Sequence, residues 1–131
     1  MLRFFVIGLG GAIGTLLRYL VGGLDYRFSN GVFPVSTLVV NISGSLAIGF
    51  IWGLIDRFAV SSNMRMFIFI GILGGYTTFS TFSLESFNLL RDGEYRIALF
   101  NIVFSNILAI VSVFLGFLVS RFLMNLIKGG A

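Results

Sequence analysis

The sequence has no cysteine and no histidine, a single proline and few charges. Without cysteine there is no disulfide framework, no thiol chemistry and no thiolate metal site, and the redox compartment is left open. Without histidine the chain lacks the commonest proton shuttle, general base and transition-metal ligand, which argues against catalysis and against metal transport through imidazole sites. No nucleophile paired with a base is in view, so an enzyme has no candidate residues. Charged residues make up 11% of the chain, where a soluble domain would carry about 25%.

What is present instead is apolar. Of 131 residues, 57% are hydrophobic and the mean hydropathy is +1.03, the composition of an all-α integral membrane protein. With a rise of about 1.5 Å per residue and about 20 residues per crossing, there is room for four helices with short loops and no separate soluble domain. Spans are expected at about 4–24, 35–55, 66–90 and 97–124, forming one domain over 1–131. The separators at 25–31 with Pro34, at 56–65 and at 91–96 read as loops. The start, Met1-Leu2-Arg3 and an apolar stretch, superficially looks like a secretory signal. That stretch carries Arg18 and runs past any cleavage site, so it is read as a retained first helix.

Counting Lys and Arg near span ends gives Arg3, Arg57, Arg65, Arg121 and Lys128 on one side, and Arg18, Arg27, Arg91 and Arg96 on the other. Five against four is close to no bias, so the charges would let the chain insert either way up. An antiparallel, dual-topology dimer follows; a topology set by other features is the alternative. The net charge of +4 suits loops that meet anionic lipid headgroups, and without basic runs it points only weakly to nucleic acid. Gly10 and Gly14 in span one, and Ser45, Gly49 and Gly53 in span two, recur at the four-residue spacing that lets membrane helices approach closely. Gly8, Gly10 and Gly14 also imitate a dinucleotide fingerprint, but no βαβ unit can be drawn around them.

The most telling run is Gly74-Gly75-Tyr76-Thr77-Thr78-Phe79-Ser80-Thr81-Phe82-Ser83, inside span three. Paired glycines followed by β-branched residues weaken a helix, so this span reads as two half-helices joined at 74–78. Freed carbonyl oxygens there suit a dehydrated alkali cation, and the start of the next half-helix presents N–H groups that favour an anion. A kink filled by threonine hydroxyls is the plainer account. Phe79 and Phe82 lie on nearly one face and bracket Ser80 and Thr81; ring edges can line an anion path, although two such rings are more often packing or lipid contact.

Asn41 in span two and Asn101, Ser105, Asn106 and Ser112 in span four are costly against lipid. Interhelical hydrogen bonding accounts for any one of them; polar positions on three spans together favour a wet pathway. Arg18, about 9 Å from the expected end of its helix, can snorkel or draw an anion into a vestibule. Glu85 has three candidate roles: a vestibule charge, a partner of an arginine, or a coupling carboxylate.

Gly10-Gly11-Ala12-Ile13-Gly14 with Arg18, Thr37-Leu38-Val39-Val40-Asn41, and the span-three run with Glu85 together resemble the Fluc (CrcB) fluoride channels, over essentially the whole chain. The resemblance implies a four-helix subunit, an antiparallel homodimer with two pores, and passive, highly selective fluoride conduction that relieves fluoride toxicity. It also implies a multi-pass place in the cell (inner) membrane of a prokaryote. By motif, Phe79 and Phe82 would contact fluoride, with Asn41, Ser80 and Thr81 as polar neighbours and Arg18 favouring the anion in the vestibule. The backbone carbonyls of Gly74 and Thr77 would hold a structural Na⁺ at the dimer centre. Span four departs from the family pattern: the expected hydroxyl ladder falls on Asn101, Ser105, Ala109 and Val113, of which two are polar. A paired homologous subunit therefore enters as an alternative partner, and Ser112, about 20° around the helix from Ser105, as a replacement rung. The rival class is a small dual-topology, proton-coupled exporter of organic cations. It needs a carboxylate in span one, where there is none. A structural or assembly protein would not need the polar break in span three.

Overall fold

The computed structural model describes residues 1–29 and 31–129, with the side chains of Tyr26, Ser29 and Lys128 outside that description. Asn30 of the expected first loop, and the Lys128 side chain of the charge count, therefore lie outside the described residues. Helix is the only regular structure among the described residues, and four stretches are long and apolar enough to cross a membrane. The elements are α1 (Leu2–Val21), α2 (Leu24–Ser29), α3 (Val35–Ile55), α4 (Ser62–Arg65), a π-helical segment (Met66–Leu73), α5 (Gly74–Tyr76), α6 (Phe79–Arg91) and α7 (Tyr95–Gly129).

Span two falls where the sequence places it; the other three differ in instructive ways. Span one ends at Val21 rather than at 24, and Leu24, its expected last residue, opens the short α2, which takes in 25–29 of the expected loop. The Asp25 carboxylate ties this helix to the start of α3, accepting from the Ser36 N–H at 2.7 Å and from the Ser36 hydroxyl. The Ser36 N–H is one of the free backbone donors that a helix N-terminus needs satisfied. Span three is composite. Its first half starts on a Ser61 cap, whose hydroxyl accepts from the Met64 N–H, and then widens to π-helix over eight apolar residues, for which the sequence carries no local signal. Span four runs on to Gly129, 35 residues, or about 52 Å at the α-helical rise, so it overshoots a hydrocarbon core of about 30 Å. Between α6 and α7 the turn is closed by Gly93 at φ +84, with the Glu94 N–H on the Leu89 carbonyl at 2.9 Å, the left-handed glycine stop of a helix.

Two contacts of different helices rest on glycine. A Cβ at Gly10 would lie 2.6 Å from the Phe67 carbonyl oxygen and 2.9 Å from the Gly71 Cα, and one at Gly14 would strike the Ile72 carbonyl. So α1 meets the π segment and α5 backbone to backbone. In the same way Gly49 meets Val113, and Gly116 meets Leu46, where α3 packs along α7. Ser112, Gly116 and Ser120 are all buried, at four-residue spacing, so they form the small-residue stripe of α7 in that contact.

The distribution of polarity is the inverse of a soluble domain. Large apolar side chains of α1 and α7, such as Leu16, Leu20, Phe114 and Leu118, face outward, while the buried polar residues are Ser36, Thr37, Thr78, Ser86, Asn101, Ser105, Ser112 and Ser120. In a bilayer the hydrophobic effect gives no reason to gather apolar groups inside, so small residues and hydrogen bonds hold the helices together.

Candidate functional site

The interruption of span three is narrower than 74–78. Gly74 is helical (φ −65, ψ −35), and the chain leaves the helix at Thr77 (φ −76, ψ 154) and Thr78 (φ −149, ψ 115). Gly75 serves another purpose: a Cβ there would sit 2.7 Å from the Gly11 carbonyl oxygen. The break itself comes from side chains that compete with the helix for its hydrogen bonds. Asn41 of α3 clamps Thr78 from both sides, its Oδ1 accepting from the Thr78 N–H at 2.9 Å and its Nδ2 donating to the Thr78 carbonyl at 3.1 Å. The Thr78 hydroxyl then caps α6, accepting from the Thr81 N–H at 3.2 Å and donating to the Thr81 hydroxyl at 2.9 Å. A helical carbonyl is normally closed by the N–H four residues on. For Gly74 that donor is Thr78, taken by Asn41, and for Thr77 it is Thr81, taken by the Thr78 hydroxyl. These two carbonyl oxygens are therefore deprived of their helical partners, and both residues border a groove. The chemistry of this pair, hard neutral oxygens, fits an alkali cation.

The groove has a volume of about 300 Å³. Asn41, Thr77, Thr78, Phe79 and Phe82 form much of its wall, and α7 contributes Ser105, Asn106 and Ala109. The two phenylalanine rings are 5.6 Å apart and inclined at 40°. Phe82 is buried, at 7% exposure, whereas Phe79 is 75% exposed, on the open side. A larger cavity of about 800 Å³ adjoins it, lined by Thr15, Arg18, Thr37, Thr81 and Glu85, with Thr78 common to both walls. Arg18 lies in the last turn of α1, closer to the helix end than the sequence boundary implied. There a cation suits the carbonyl end of the helix while its head remains in the vestibule. Glu85 accepts from the Thr37 hydroxyl at 2.8 Å, and its other oxygen is buried without a hydrogen-bond partner.

Of the residues singled out from sequence, the structure brings Asn41, Phe79, Phe82, Ser105, Gly74 and Thr77 to the groove, and Arg18 and Thr81 to the vestibule. Ser80 lines neither cavity; it is exposed, with its hydroxyl 3.4 Å from that of Thr78. Asn101 is 2% exposed and stands behind Ser105, bonded rather than open. Ser112 does not reach the groove, where α7 presents Ala109 instead, because Ser112 belongs to the stripe packed on α3. Sequence reasoning missed Thr78 as the shared wall, although a threonine three residues before Thr81 at a helix start is a capping signal. It also missed Ser86, which is buried four residues beyond Phe82 and bridges α6 to α7.

A four-span helical membrane protein whose third span is broken beside a groove of aromatic rings and hydroxyls has the makings of an ion path. The chain belongs to the CrcB family: residues 5–117 match the family described as CrcB-like protein, Camphor Resistance (CrcB). It is 42% identical over 128 residues, 98% of this chain and 100% of the relative, to the fluoride-specific ion channel FluC of Parabacteroides distasonis. Proteins of the same name from Pyrococcus abyssi (44% over 114 residues, 86% of this chain and 91% of the relative) and Aquifex aeolicus (43% over 118 residues, 89% and 95%) are similar.

Proposed function

We propose that this chain is a fluoride channel and not an enzyme. The observation that carries the reading is the groove at the start of α6, where Phe79 and Phe82 stand beside Asn41, Thr78 and Ser105, in a chain whose relatives are named fluoride-specific ion channels. Fluoride is small and strongly hydrated. To leave water it needs several short hydrogen bonds and positive ring edges in a narrow path, which a larger halide cannot exploit. Arg18 raises the anion's concentration in the vestibule, Thr81, which accepts the Thr78 proton, offers its own hydroxyl proton beside the passage between the cavities, and the ring edges replace the lost water. Conduction is passive, and its outward direction in a cell membrane relieves fluoride toxicity.

The functional unit is an antiparallel homodimer in the cell membrane of a prokaryote. Its support is the near balance of basic residues on the two sides and the exposure of Phe79 on the open side of the groove, where a second copy completes the wall. A structural Na⁺ is bound by the carbonyls of Gly74 and Thr77 from both subunits. When bound, it compensates oxygens that would otherwise face one another without donors. The proton-coupled exporter has no such support, since α1 lacks a carboxylate.

The test is fluoride efflux from liposomes containing only this purified chain, with chloride as the control. Efflux of fluoride alone is expected; efflux of both ions removes the selectivity, and efflux of neither removes the homodimeric channel. In sodium-free potassium medium, long incubation should lower both flux and thermal stability. Equal behaviour in the two media would make the break a simple kink.

A further inference from the structure

Behind the groove lies a closed run of four hydrogen-bonding groups. The Ser86 hydroxyl donates to the Phe82 carbonyl at 2.8 Å, the Asn101 Nδ2 donates to the Ser86 Oγ at 3.0 Å, and the Ser105 hydroxyl donates to the Asn101 Oδ1 at 3.0 Å. Phe82, Ser86, Asn101 and Ser105 are 7%, 5%, 2% and 6% exposed, so water does not interrupt the run. A serine hydroxyl has one proton. In this polarity Ser105 spends its proton on Asn101, and the groove that Ser105 lines meets lone pairs, which repel an anion.

We propose that Asn101, anchored through Ser86, is a positioning residue that sets the hydrogen-bond polarity of Ser105, and that a half-turn of its side-chain amide converts Ser105 from acceptor to donor when an anion enters the groove. The inference rests on the reading of this groove as the fluoride path. A side-chain amide presents its oxygen and its NH₂ in nearly the same shape, so both orientations fit one cavity. With the amide turned, Oδ1 accepts from the Ser86 hydroxyl and Nδ2 donates to the Ser105 Oγ, which frees the Ser105 proton toward the groove. The Phe82 carbonyl gives up the Ser86 hydroxyl and keeps the N–H of its own helical ladder, since it lies inside α6. One bond to a carbonyl is lost, one to the anion is gained, and the other two are exchanged. Without an ion the turned polarity is short by one hydrogen bond and is the minor state; the ion supplies that bond and shifts the population toward it.

Ser86 lines neither cavity, so its effect on flux must travel through Asn101 and Ser105. The experiment is a double-mutant cycle on fluoride efflux from liposomes, with Ser86→Ala, Ser105→Ala and the pair. Wild-type efflux checks the channel reading independently: if it is absent, that reading has failed and not the relay. Given wild-type efflux, Ser86→Ala and Ser105→Ala should each lower the rate about fivefold to tenfold, the effect of one hydrogen bond. The double variant should be no slower than Ser105→Ala, and Ser86→Thr, which keeps the hydroxyl, should restore the rate. A silent Ser86→Ala, or losses that multiply in the double variant, overturns the proposal, because a merely structural role would add to the loss of Ser105. If Ser86→Ala does not fold, the near-isosteric Ser86→Cys, a weak donor and acceptor, takes its place in the same cycle with the same expectation.

Discussion

The two halves of span three are built on opposite principles. The first, beyond its short polar start in α4, is the apolar π segment with α5, and it lies against α1 through Gly10, Gly14, Gly71 and Gly75, where backbones nearly touch. The second, α6, is held by side-chain hydrogen bonds: Asn41 and the Thr78 cap at its start, Thr37 to Glu85 along it, and Ser86 to Asn101 across to α7. Contacts of the first kind cannot be exchanged for anything else, since a methyl group has no place to go. Hydrogen bonds can be re-paired without moving the helices. A bilayer protein that must pass a hydrated ion thus has a rigid half that fixes the site in space and an adaptable half that can answer the ion.

The largest effect expected from this contrast is on the rigid side. Gly14→Val would drive a side chain into the Ile72 carbonyl and the Tyr76 N, backbone atoms that cannot yield, and should exceed the ~1–3 kcal/mol of ordinary overpacking. Monodisperse protein in detergent should be lost, whereas Gly8→Val, with nothing within 4 Å of its Cβ, should purify and melt like the parent. Equal stability of the two variants would dissolve the distinction between the halves.

Asn41→Leu comes next, and its damage should be to function more than to fold. It strips the Thr78 N–H and carbonyl of their partners, a cost of about 1–3 kcal/mol for each buried group left unmet. A folded protein with fluoride flux down tenfold or more is expected; normal flux would mean that the clamp does not shape the path. Phe79→Ile and Phe82→Ile keep bulk and hydrophobicity but delete the ring edges, so each should cost flux up to about tenfold, with Phe82, the buried ring, the more sensitive. Unchanged flux in both would return the rings to packing. Smallest of all should be Ser112→Ala, which removes a hydroxyl from the α3–α7 seam and not from the groove; flux within about twofold of the parent is expected, and a larger drop would put Ser112 back on the path.

Much of this was legible in the residues. Few charges and long apolar runs gave four crossings, because the bilayer demands about 20 apolar residues per helix whatever the rest of the fold does. A polar run at bilayer depth marked span three as interrupted, because backbone groups left unmatched there are too costly to be accidental. Asn41 and Arg18 stood out for the same reason, each an expense against lipid, and Phe79 and Phe82 by their spacing on one face beside the polar break.

What the sequence alone did not decide is where each polar group spends its hydrogen bonds. The glycines at 74 and 75 looked like the cause of the break, but Gly74 is helical and Gly75 is where α5 fits against α1, and the break comes from Asn41, 37 residues away in the chain. Ser112 looked like a rung of the path and lies on the packing stripe, while Ser86, without any local signal, became the bridge between α6 and α7. The physical reason is the same in each case. The cost of placing a polar group in a membrane is a property of the residue and its depth, so it can be read from the chain; the partner that relieves that cost lies on another helix, and only the packing of the four spans brings it within reach.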